Sequence, residues 1–210
     1  EIGVRLVGSE MCIRDRSHGH LRRRRLCGQC AINDRRIKAL ETVSAVNIGA
    51  MLRNGWEGKG SSRDAFPLLE AGSQARTTEA NGSAQVIFPL APLKEEDAFS
   101  EELREAWEYY RTPRCACSTA PSIAASRSLT QLVTYDAFNM ADVFLTQPLQ
   151  IVAGSAAGSK WMSDDLYARA ASGDKNYHVV EGADHMSLYD VPEYVDETPS
   201  VLASFFKNHL

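Results

Sequence analysis

The sequence predicts an α/β fold: a mostly parallel sheet with flanking helices and a helical insertion. Three observations carry this. Short runs rich in β-branched residues at 37–46, 149–154 and 177–181 alternate with segments of helical pattern, the order expected of βαβ units and a parallel sheet. The strand-like runs are bounded by turn residues such as Gly154 and Gly182. A long mixed stretch, 55–135, with its own helical segments separates the first of these strands from the second.

Each element follows from its residues. Asn33, Asp34, Arg35 and Arg36 end a helix, and residues 37–46 then read as a buried strand. Asn47, Ile48 and Gly49 fall at that strand's carboxyl edge, where open α/β sheets place their ligands. Residues 64–78 are helical with Ser62 as the N-cap, and Asn81-Gly82 marks a turn. Residues 86–93 form an apolar connector broken by proline. Residues 100–110 form a helix: Ser100 caps it, and Glu101 and Glu102 place negative charge at its positive end. Thr112-Pro113 stops it. Residues 114–126 are polar and irregular. Residues 149–154 make a strand ending in glycine, Ser163 caps a helix running through Ala171, and 177–181 make the last strand. The closing helix begins near Thr198 with Pro199 at its first position, because a proline inside it would cost about 3 kcal/mol.

The first thirty residues do not fit this pattern. Residues 6–16 back-translate to a string that resembles a transposase-type sequencing adapter, so residues 1–16 are expected to be a non-native translation. Arg22, Arg23, Arg24 and Arg25 form a charge run that suits a disordered or anion-binding tail. If their codons are of the CGN type and one base is dropped, residues 19–30 can instead read Gly-Ile-Cys-Ala-Ala-Gly-Gly-Tyr-Ala-Ala-Asn-Ala. That is a nucleophile on a tight strand-to-helix turn, flanked by small residues so that the backbone can bend. Residues 17–30 are therefore read as a frameshifted remnant of such an elbow, and 31–210 as the body of the domain.

The formal net charge is −4, and most of the basic excess precedes residue 31. The body is thus more acidic than the total, which argues against nucleic-acid binding. No apolar run is long enough to span a bilayer, so no membrane partner is expected. Of five cysteines, Cys12, Cys27 and Cys30 precede the body, and Cys115 and Cys117 form a Cys-x-Cys in a loop. A zinc site made of Cys27, Cys30, Cys115 and Cys117 is one competing reading, though no compact knuckle favours it. A non-catalytic protein that binds an anion or nucleic acid through the run Arg22 to Arg25 is another. The odd cysteine number and lack of a signal segment point to the cytoplasm.

The most informative stretch is 177–190. A β-branched run passes through Gly182-Ala183 to His185, just ahead of the closing helical segment. Loops at strand ends can project an imidazole into a cleft while the sheet holds its position. Together with residues 33–39, 43–47 and 148–155, in this order and spacing, residues 182–190 resemble the α/β-hydrolase superfamily, in particular its dienelactone-hydrolase-like branch of serine or cysteine hydrolases. The resemblance covers residue 31 to the end, about the C-terminal half or somewhat more of such a domain. The fold expected from it is a truncated α/β-hydrolase whose insertion is lid-like.

The resemblance implies hydrolysis of a carboxylic ester, lactone or related acyl bond through a covalent acyl-enzyme, with a small-molecule acyl substrate and no cofactor or metal. It assigns the general base to His185. The acid that orients the imidazole commonly follows the penultimate strand, where this chain reads Ser155-Ala156-Ala157-Gly158-Ser159-Lys160-Trp161. Gly158 stands where the acid is expected. Asp164 is the remaining candidate, although acids after Ser163 also suit a helix N-terminus. Asp184 and Asp190 flank His185 in sequence, a placement that rarely has the geometry to hold the ring. Trp56, Phe66, Trp107, Tyr109 and Tyr110 are candidates to line an apolar acyl pocket under the insertion. As written, with neither a recognisable nucleophile nor an oxyanion loop, the chain is expected to be inactive.

Overall fold

A computed structural model describes residues 16–17, 29, 31–119 and 122–209. The arginine run, Cys12, Cys27, Cys30, and all but residues 16, 17 and 29 of the adapter-like and frameshifted segments lie outside the described residues. In chain order, β1 (Arg16–Ser17) and β2 (Ala39–Val43) are followed by α1 (Ile48–Asn54), α2 (Phe66–Ala80), β3 (Ile87–Pro89), α3 (Glu101–Arg111), β4 (Ile123–Ala125), α4 (Leu129–Thr134) and α5 (Ala141–Phe144). Then come β5 (Leu149–Gly154), α6 (Lys160–Arg169), β6 (Lys175–Val180), α7 (Ser187–Asp190), α8 (Pro192–Val195) and α9 (Thr198–His209).

The main sheet runs β1-β2-β5-β6 with every pairing parallel. β2 and β5 are buried at every position, as parallel strands covered on both faces are. Side chains alternate between the two faces. Leu40, Leu149 and Ile151 join Leu145 and Leu166 on one side; Val43 and Val152 join Leu188 and Leu202 on the other. Thus α6 closes one face and α9 closes the opposite face. No helix among the described residues is long and apolar enough to cross a membrane.

The chain between β2 and β5 carries α1 to α5 and an antiparallel pair, β3 with β4. The sequence did not reveal this pair, because each strand has three residues and Pro89 interrupts the pattern. The start of α3 is as expected: Ser100 Oγ accepts from Leu103 N at 3.3 Å. Two caps differ. Ser61, not Ser62, caps the turn before α2, accepting from Arg63 N while Asp64 accepts from Ser61 N. α6 begins at Lys160, so Ser163 is buried inside the helix rather than capping it. The chain can turn this early because Lys160 N donates to the Ala157 carbonyl at 2.9 Å, closing the turn without a side-chain cap.

Candidate active site

The loops leaving the carboxyl ends of β5 and β6 are joined by hydrogen bonds. Ser155 N donates to Val180 O at 2.9 Å, and Ala156 N to Ala183 O at 3.0 Å. Gly182 N donates to Ser155 Oγ at 2.8 Å. Gly154 permits this approach, since a Cβ there would collide with the Ala183 carbonyl. Asp184 and Ser187 then bond reciprocally, Ser187 N to Asp184 Oδ1 at 2.8 Å and Asp184 N to Ser187 Oγ at 3.0 Å. These contacts pin the backbone on both sides of His185.

His185 is fully buried. Its Nδ1 lies 2.6 Å from Ser159 Oγ and its Nε2 lies 2.6 Å from the Tyr189 hydroxyl. The ring meets Trp56 edge-on, with centroids 4.8 Å apart. From α3, the Glu102 carboxylate accepts from Gly158 N at 3.0 and 3.2 Å and from His185 N at 3.4 Å. Burial pushes the Glu102 pKa up, while the Trp56 indole and the two backbone N–H groups hold it back.

One turn further along α3, Glu105 meets Asp184. Burial pushes the Glu105 pKa up to about 7, helped by its hydrogen bond to Asp184 and by that residue's charge, and opposed by Arg114. Burial also pushes Asp184 up, but its bonds from Glu105 and Ser187 outweigh this and leave it below the usual value. Arg114 completes the clamp: Nε and Nη2 donate to Asp190 at 2.6 and 2.7 Å, and Nη2 reaches Glu105 Oε1 at 3.1 Å. The insertion is therefore tied to the His185 loop by charge as well as by packing.

Between them lies a cavity of about 540 Å³. Met51, Leu52, Phe88, Leu90 and Leu103 line it with Trp56 and His185. Its charged wall residues are Asp97 and Glu102, and among the described residues no lysine or arginine lines it. Of the aromatic candidates, Trp56 and Tyr110 line this cavity, while Trp107 and Tyr109 do not. Phe66 is exposed beside a separate hollow with Arg53 and Leu69.

The structure does not bring Asp164 to His185. Its carboxylate bonds Lys160 Nζ at 2.7 Å and the Tyr177 hydroxyl at 2.8 Å. Because α6 starts at Lys160, Asp164 sits in its second turn, on the side facing β6. Asn47, expected at a ligand-bearing edge, instead ties together the chain around it. Its Oδ1 accepts from Ala50 N and Ala137 N, and its Nδ2 donates to Asp136. Cys115 and Cys117 are exposed and not joined in a disulfide, and among the described residues no group of three His, Cys, Asp or Glu could hold a metal. Sequence reading missed Ser159, Tyr189 and Glu102 as partners of His185. Tyr189 had a signal in its nearness, four residues after His185 in the single turn of α7; Glu102, 83 residues away, had none.

The architecture matches known structures. The crystal structure of the hypothetical protein PA2218 from Pseudomonas aeruginosa superposes with a TM-score of 0.74 at 23% identity, covering 89% of this chain and 58% of that one. The α/β hydrolase GrgF from Penicillium sp. sh18 superposes at 0.68 with 14% identity, covering 89% and 60%. The chain has the α/β-hydrolase fold. In sequence, the chain is 64% identical over 180 residues to the uncharacterized protein YcjY of Escherichia coli K12, covering 86% of the chain and 59% of YcjY. It is 27% identical over 184 residues to PA2218, covering 84% and 47%. The chain thus spans between 47% and 59% of the two curated relatives. No protein-family model matches it.

Proposed function

We propose that this site belongs to hydrolysis of a carboxylic ester, lactone or related acyl bond, with His185 as general base and a neutral, apolar acyl group in the cavity. One observation carries the reading: a buried imidazole beyond the carboxyl end of a parallel sheet forms part of the wall of an apolar cavity under the insertion. The volume suits a small-molecule site, which typically measures about 300–1,000 Å³. With the proton on Nδ1, donated to Ser159, Nε2 keeps its lone pair and can take a proton from an attacking group. Here the Tyr189 hydroxyl is placed to donate to that lone pair. The acidic wall disfavours an anionic acyl group.

In the frame as written, the segment where an elbow would stand carries arginines. The chain is therefore expected to hydrolyse p-nitrophenyl acetate no faster than buffer; turnover lost in His185→Ala would overturn that part. Ligand binding tests the site itself. Ethyl octanoate should shift the His185 ring resonances in NMR, and octanoate should shift them much less. A folded chain whose His185 signals ignore saturating ester would overturn the reading.

A further inference from the structure

The loop after β5 offers His185 a neutral hydroxyl where a carboxylate would stabilise a charged ring. Gly158 explains where the carboxylate comes from instead. A Cβ at position 158 would lie 2.5 Å from Glu102 Oε2 and 2.8 Å from Trp56 Cδ1. The space a side chain at 158 would enter is filled by the Glu102 carboxylate arriving from α3. That carboxylate bonds the backbone of both loops at once, Gly158 N and His185 N. Among the described residues it has no lysine or arginine partner. Arg104 goes to Glu101 and Glu95, and Arg114 goes to Asp190, Glu105 and Glu108.

We propose that Glu102, carried by the insertion, is the positioning carboxylate of His185, supplying the negative charge that favours the protonated ring while Ser159 orients Nδ1. This rests on the reading of His185 as general base. In this reading the loop after β5 contributes the Gly158 backbone and α3 contributes the charge. The basicity of the imidazole then depends on α3 being seated over the site, so opening the insertion would weaken the base. Three other ionisable groups stand near the ring among the described residues. The Tyr189 hydroxyl meets Nε2 at 2.6 Å. Asp184, on the ring's own loop, is bonded by Ser187 and Glu105, and Asp190 is neutralised by Arg114.

The test is the titration of the His185 ring, followed by NMR and assigned with His185→Gln. It needs no turnover, so it separates this proposal from the hydrolase reading, which ester binding tests. In Glu102→Gln the His185 midpoint should fall by about one unit, the lower end of the shift that a neighbouring opposite charge produces, since the carboxylate bonds the backbone N–H of His185 itself. Glu101→Gln, at an exposed acid paired with Arg104, should move it by less than ~0.3 unit. An unchanged midpoint in folded Glu102→Gln overturns the proposal. If that variant does not fold, the unaltered chain supplies the answer: groups that interact by a unit each register the other's step. A Glu102 carboxyl carbon that titrates without a second step at the His185 midpoint overturns it equally.

Discussion

Raising the pH from 5 to 8 should loosen the contact between α3 and the His185 loop, and Glu105 is the group responsible. Its pKa rises from an ordinary value of 4.5 to about 7 in the folded chain. An acid with a higher pKa folded than unfolded binds more protons in the folded state. Its contribution is fully present below pH 4.5 and is lost as pH rises through 7. The difference is nominally ~3 kcal/mol at about 1.36 kcal/mol per unit. The Glu105 side chain is 19% exposed, and solvent and the Arg114 charge screen part of this, leaving about 1–2 kcal/mol, roughly 2–8 °C in Tm for a domain of this size. Glu105→Gln removes the titration and keeps a hydrogen-bonding side chain facing Asp184. Urea unfolding at pH 5, 6, 7 and 8 should show the unaltered chain losing that much stability relative to Glu105→Gln, with most of the change between pH 5 and 7. Asp184, held below its usual value, acts at lower pH and stays out of this window. Parallel pH profiles for the two proteins would refute the reasoning. They would mean that Arg114, 3.1 Å from Glu105 Oε1, keeps the carboxyl ionised throughout.

Two further outcomes test the packing. Leu166, buried on α6 in the core cluster beneath Leu149 and Ile151, should cost about 2–5 kcal/mol when replaced by alanine; a loss under ~1 kcal/mol in chemical unfolding would mean that α6 does not close that face. Gly158→Ala drives a methyl group into Glu102 and Trp56 and should cost about 1–3 kcal/mol. The same substitution should speed amide exchange in α3, and unaltered exchange would show that the insertion does not rest on this loop.

Much of the architecture is legible along the chain. The apolar runs at β2 and β5 announce strands buried on both faces, and Gly154 marks where the second must end. Ser100 announces α3, and Thr198-Pro199 announces α9. The position of His185 after the last strand is legible for the same reason: turn chemistry and β-branched runs are local signals. The cap positions at Ser61 and Ser159 precede those expected from the sequence by one and four residues, because several nearby serines suit the role and backbone packing chooses between them. The β3–β4 pair was invisible, since pairing between residues far apart leaves no periodicity in three-residue strands.

The residues around His185 divide along the same line. The chain by itself determined that a histidine would stand on a loop at the carboxyl end of a parallel sheet, and that the expected acid was missing at Gly158. Only the tertiary structure decided what meets the ring: Ser159 on Nδ1, Tyr189 on Nε2, and Glu102 brought from α3 to the space a side chain at 158 would occupy. Local preference is encoded within a few residues, whereas a contact across 83 positions exists only once the insertion has packed over the loops at the carboxyl end of the sheet.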